Sequence, residues 1–154
     1  MADEVWIATA LLHRNHEDRE DFTVREIVKQ AESERVVGVP LRAGVQVHAY
    51  LHCVANKPPN PGRYRMLIET SKGRRRLYRP GDPCHRSRST GKNLPEEHAI
   101  PSVYRDLLDW YRSEYAKDHD QTSADPILSL RGLGQDVWTD EKADRYVDRL
   151  REGW

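Results

Sequence analysis

The side chains best suited to chemistry in this sequence are cations, and they are crowded together. Residues 57–92 hold 11 basic side chains against two acidic ones, Glu69 and Asp82, a net of +9. A local excess of that size is an electrostatic footprint suited to a polyanion. The flanks conceal it in the total. Residues 1–56 are net −3 and residues 93–154 net −6, so the chain of 154 residues sums to zero. A solvated basic loop is the ordinary alternative for such a run.

Other chemistry is thinly represented. His48 and His52 have the i, i+4 spacing of a zinc pair on a helix, with Cys53, Cys84 and His85 as further donors. No second pair of that kind supports them, and the glutamate of a zinc hydrolase motif is missing. There is no glycine-rich phosphate loop, nucleophile elbow or convincing pair of nuclease carboxylates. The expectation is therefore a binding protein rather than an enzyme, with no metal and no cofactor.

Composition narrows the class. One third of the residues are charged, 37% are hydrophobic and there is a single Phe. No run approaches the roughly 18 apolar residues of a membrane span. The acidic start Met1-Ala2-Asp3-Glu4 does not read as a secretory leader. Two cysteines are too few for a disulfide framework, which points to reduced thiols and a cytoplasmic location.

Periodicity supplies the elements that must hold the cations. Ile7, Ala10 and Leu11 predict a first helix over Glu4–Arg14. Thr23-Val24-Arg25-Glu26 is a capping box opening a second helix to about Glu34, with Val24, Ile27 and Val28 inward. Val47, Tyr50, Leu51 and Val54 predict the buried face of a third helix from about Arg42 to Ala55, closed by Pro58, Pro59, Pro61 and Gly62. The period then changes. Tyr64–Thr70 and Arg75–Pro80 read as strands of a β-hairpin, with Gly73 free to take a positive φ at its turn. Residues 81–99 read as an extended loop. A fourth helix opens at Pro101 and packs back through Ile100, Tyr104, Leu107, Leu108, Tyr111 and Tyr115.

Three helices followed by a basic hairpin resemble a winged helix-turn-helix. The predicted fold class is α+β: a winged-helix-like domain over residues 1–117, with an additional packing helix, a linker at 118–124 and a helical C-terminal tail at 125–154. In that arrangement the third helix enters the major groove, where base edges carry a distinguishable donor and acceptor code. Its outward residues are Arg42, Gln46, His48, Ala49, His52 and Asn56; Gln46 or Asn56 would suit adenine and Arg42 guanine. Arg63, Arg65, Lys72, Arg74, Arg75, Arg76 and Arg79 would meet phosphates from the wing, although strand alternation sends at least one of Arg74–Arg76 off the binding face. Tyr64 and Tyr78 either stack on single-stranded bases or fill the hydrophobic face. The stretch from Val54 to Pro83 also resembles an uncharacterised bacterial domain family, which implies a winged-helix-like fold and no particular activity.

The last 30 residues carry a different signal. Leu130-Arg131-Gly132-Leu133-Gly134, the central Trp138, Asp144-Arg145-Tyr146-Val147 and Leu150-Arg151-Glu152-Gly153-Trp154 resemble the C-terminal tails of VapB-type antitoxins. The resemblance implies a tail that wraps a PIN-domain ribonuclease toxin, with basic side chains reaching the carboxylates of its metal site. Leu130, Trp138, Tyr146, Leu150 and Trp154 are the apolar anchors such a tail would bury; one among Arg131, Arg145, Arg149 and Arg151 would grip carboxylates bidentately. The usual small swapped-hairpin or ribbon-helix-helix DNA binder is replaced here by a larger domain. Together these features lead us to expect a regulator that binds duplex DNA at its own promoter and a toxin protein through its tail. The alternative is a stand-alone DNA- or RNA-binding module whose tail packs on its own domain or on a second copy in a homodimer.

Overall fold

The computed structural model describes residues 1–36, 38, 41–59 and 62–117. The chain divides into two units, Met1–Gln121 and Thr122–Trp154; the predicted linker and tail, with their partner-binding candidates, lie outside the described residues. The first unit is α+β: four helices and a three-stranded antiparallel sheet. None of the described helices is long and apolar enough to cross a membrane.

Helix α1 (Ala2–Asn15) is the axis of the unit. The sequence marks one apolar stripe, yet nearly every side chain from Ala2 to His13 is buried. Small residues at positions 8 and 10 and Thr9, whose hydroxyl donates to the Val5 carbonyl at 2.7 Å, let neighbours close on every side. Trp6 sits at the centre, edge-on to Tyr111 at 5.9 Å between ring centroids.

Strand β1 (Phe22–Thr23) runs directly into helix α2 (Val24–Glu34). The capping box forms as expected: the Thr23 hydroxyl accepts from the Glu26 amide at 3.2 Å, and the Glu26 carboxylate accepts from the Thr23 amide at 2.8 Å. Reciprocal caps of this kind are worth about 1 kcal/mol. Helix α3 (Gly44–Val47) continues as a π-helical turn over His48–His52, closed by the Cys53 amide donating to the His48 carbonyl at 3.0 Å.

The hairpin is β2 (Leu67–Ser71) and β3 (Arg74–Leu77), shorter than the periodicity suggests, with Gly73 at φ 78° in the turn and a register shift between Glu69 and Ser71. Sheet order is β1-β3-β2, which makes β3 the central strand. Phe22 pairs with Arg75 and Thr23 with Arg74. A two-residue strand has no period, so β1 was invisible to pattern reading. The predicted loop at 81–99 contains 3₁₀ turns at Arg86–Arg88 and Glu97–Ala99. Helix α4 (Asp106–Trp110) opens later than the expected start at Pro101, which instead precedes a 3₁₀ turn at Ser102–Tyr104; it runs into a π-helical turn at Tyr111–Tyr115 and packs back as expected. Leu107, Leu108, Tyr111 and Tyr115 are buried, and the Tyr115 hydroxyl donates to the Leu77 carbonyl at 3.2 Å.

Candidate nucleic-acid interface

The arginines of the hairpin do not form a free cationic patch. Strand β3 is paired on both edges, and its Arg75 and Arg76 are buried on opposite faces while Arg74 stays partly exposed. Arg75 is fully buried, donating to the Glu69 carboxylate at 2.8 Å and to the Tyr50 carbonyl at 3.1 Å. Arg76 points the other way and grips Asp82 through both terminal nitrogens, at 2.7 and 2.6 Å. Arg74 is paired with Asp21. The expectation that one of the three would leave the binding face understates the result, since each is paired with a different acid.

Arg65 donates to the Gly91 carbonyl at 2.8 Å and lies over the Tyr78 ring. Arg79 stacks on Tyr115 at 4.3 Å. Tyr78 is buried and Tyr64 packs against the core, so both fill the hydrophobic side rather than presenting rings to solvent. Of the hairpin-region candidates, Arg63 and Lys72 are exposed and have no ion-pair partner among the described residues.

Helix α3 presents a different face from the predicted one. The buried residues are Val45, Ala49 and Cys53, one every four positions and all small enough for α3 to lie close to α1 and α2. The larger residues are displaced outward, leaving Val47 46% and Tyr50 55% exposed. Ala43, Gln46, Val47 and Tyr50 thus form an outward strip at i, i+3, i+4 and i+7 without a charge in it.

The remaining α3 candidates have structural employment. Arg42 reaches back to the buried Glu4, which the N-terminal ammonium also holds at 2.8 Å; against the opposing effect of burial, these two cations keep the Glu4 carboxyl below its usual value. His48 is half-buried, 3.5 Å from the Cys53 sulfur and packed on His52; burial, with His52 beside it, lowers its pKa. Burial pushes the Cys53 thiol up to about 12. Asn56 pairs by both amide atoms with the backbone of Glu69, at 3.0 and 3.1 Å, and so closes the sheet edge. No group of three or more metal-binding side chains comes together among the described residues.

Cations flank the strip on both sides. Gln46 shares a groove with Arg25, Lys29 and Glu32 of α2, two cations and one acid, and Tyr50 shares another with Lys57, Glu69, Thr70 and Lys72 of the hairpin side. Tyr50 itself lies under the Lys57 ammonium, 4.7 Å from its ring centre, with the Arg75 guanidinium at 5.8 Å. Glu69 answers both of these cations. Burial opposes its ionisation, but Lys57 at 3.1 Å and Arg75 hold its carboxyl below the usual value. One carboxylate between two cations leaves a net positive charge beside Tyr50.

Pattern reading also missed the residue that fixes this geometry. Arg88 is fully buried and has no carboxylate partner among the described residues; it donates to the carbonyls of Leu51, His52, Lys57, Pro58 and Tyr64. It thereby joins the end of α3 to the segment leading into the hairpin. Nothing in a Ser-, Arg- and Thr-rich stretch distinguishes this arginine, because its partners are backbone atoms.

The unit is thus an α+β domain that presents an uncharged helix face between two cationic margins. No protein-family model, curated protein or solved structure matches the chain.

Proposed function

We propose that the chain is an antitoxin-like, DNA-binding regulator that binds its own promoter through α3 and neutralises a PIN-domain ribonuclease through residues 125–154. The carrying observation is the uncharged outward strip of α3 between two net-positive margins, Arg25 and Lys29 with Glu32 on one side and Lys72 with the Lys57–Glu69 pair and Arg75 on the other. A helix fits the major groove of a duplex, whose phosphates line both rims and whose base edges lie between. The order α1-β1-α2-α3-β2-β3, with sheet order β1-β3-β2, supports a winged-helix reading in which the hairpin is the wing. In that reading the wing touches backbone through its tip, Lys72, while Arg74–Arg76 brace it from within.

Phosphate contacts by Arg25, Lys29 and Lys72 predict that log affinity for duplex DNA falls with log salt at a slope of about −2.7, or about −0.9 per contact. Lys72→Ala should flatten that slope by about one contact. Fluorescence anisotropy across a salt series measures both, and affinity indifferent to salt would refute the DNA reading.

The tail motifs at Leu130–Gly134, Trp138 and Asp144–Trp154 support the second half of the proposal by their likeness to VapB-type tails. Co-expression with a PIN-domain toxin encoded beside the chain's own gene should restore growth. A chain ending at Lys117 should fail to do so, and equal rescue by both would remove the tail from the proposal.

A further inference from the structure

Val47 is an anomaly on two counts. It is β-branched on a helix, where propensity disfavours it, and nearly half exposed, where burial does not repay it. Tyr50, one turn later, is more exposed still, so two of the four exposed large hydrophobic side chains among the described residues share one helix face. Exposed apolar surface in that concentration marks a surface that meets something.

Its margins say what. Arg25 and Lys29 on one side and Lys72 on the other have no ion-pair partner among the described residues, and the one acid in the first groove, Glu32, leaves that side net positive. An occupant complementary to this surface is anionic along two edges and uncharged with an apolar spot between them. Duplex DNA has that layout. Among the base edges of its major groove, the apolar group is the 5-methyl of thymine.

Resting on the DNA-binding reading above, we infer that α3 reads thymine, with the Val47 isopropyl group packed on a thymine methyl and Gln46, beside it on the helix, hydrogen-bonding an adenine edge. Contact with a methyl also selects DNA over RNA. Uracil lacks the group, and the deep, narrow major groove of an A-form duplex does not admit a helix.

The test uses the full chain. Tight-binding duplexes are selected from a random-sequence DNA pool, then remade with deoxyuridine in place of thymine one position at a time. Selected sites should contain A·T pairs. Loss of one contacted methyl should weaken binding about fourfold, the value of one buried methyl-sized group. In Val47→Ala that thymine-to-uracil ratio should fall to about one with the salt slope unchanged. Val47 is exposed, so the variant should unfold at the wild-type temperature.

Wild-type binding that ignores every thymine-to-uracil change overturns the inference and leaves the DNA reading standing. The same follows if the methyl effect persists in Val47→Ala. A duplex RNA of the selected sequence bound as tightly as the DNA also overturns it. Failure to bind any duplex, with the strip instead engaging protein, overturns both.

Discussion

Arg88→Ala is expected to destabilise the domain by about 3–5 kcal/mol. Five carbonyls take their hydrogen bonds from one guanidinium, and a buried acceptor left without a donor costs about 1–3 kcal/mol. Partial relaxation and entering water keep the sum well below five times that figure. Two of the carbonyls, Leu51 and His52, belong to the last turn of the helix, where a cation favours the negative end of the dipole; Leu51 also accepts from the Val54 amide at 3.2 Å, so its loss of Arg88 costs less than that of the others. Burial lowers the arginine's pKa, outweighing the opposing influence of Cys53 and Cys84. The site works because five forked N–H donors can fan out to separate acceptors. Arg88→Lys keeps the charge but offers three donors from one point, so it should recover less than half of the loss. Urea denaturation of the wild type and both variants measures this directly. A loss below about 1 kcal/mol for Arg88→Ala would mean that the carbonyls find water or other partners. At temperatures where the alanine variant remains folded, DNA affinity should also fall, since Arg88 sets how the end of α3 meets the hairpin.

The sequence was most legible where the physics is local. The Thr23–Glu26 box lies within one turn of helix, Gly73 needs only its own φ, and the α4 stripe repeats at helical spacing; all three appear in the structure. Legibility failed where the deciding partner lies far along the chain. Arg74, Arg75 and Arg76 look like an open cationic run because Asp21, Glu69 and Asp82 carry no mark tying them to those arginines. Charge counting registers the cations correctly and cannot register that the fold has already used them.

The face of α3 failed for a different reason. Helical spacing fits two sets of residues: the bulky Val47, Tyr50, Leu51 and Val54, or the smaller Val45, Ala49 and Cys53. Area-based reasoning favours the bulky set, but the space beside α1 and α2 favours the smaller one. The π-helical turn at His48–His52 then shifts the phase, so that Val54 is buried although it shares the predicted stripe with exposed Tyr50. That misreading is informative. Side chains large enough to be core but left outside are the strongest local argument that α3 meets a partner.

The second large effect should come from acid. His13 is buried where α1 meets β3 and α4, with Phe22 edge-on at 4.9 Å and Tyr115 at 4.8 Å. Its Nε2 accepts from the Leu77 amide at 3.4 Å, which requires an unprotonated nitrogen. Burial, then the nearby charges of Arg79 and Arg76, lower its pKa to about 3 from an ordinary 6.5, outweighing Asp21 and a bond to the Arg19 backbone. The unfolded chain therefore takes up a proton near pH 6.5 that the folded chain refuses. Stability from the neutral ring is complete above that pH and is lost progressively as pH falls toward 3. At pH 5 the loss should be about 2 kcal/mol relative to pH 7, or about 10 °C in unfolding temperature for a domain of this size. Glu4, Asp21, Glu26 and Glu69, all held below their usual values, weaken the fold at lower pH still, so the interval from pH 6.5 to 5 belongs mainly to histidine. His48, lowered by burial and by His52, adds a smaller contribution of the same sign. His13→Gln should be less stable than wild type at pH 7, having lost two ring contacts, and nearly flat between pH 7 and 5. Equal wild-type stability at the two pH values would show that His13 protonates in place, with the Leu77 amide turning to another acceptor.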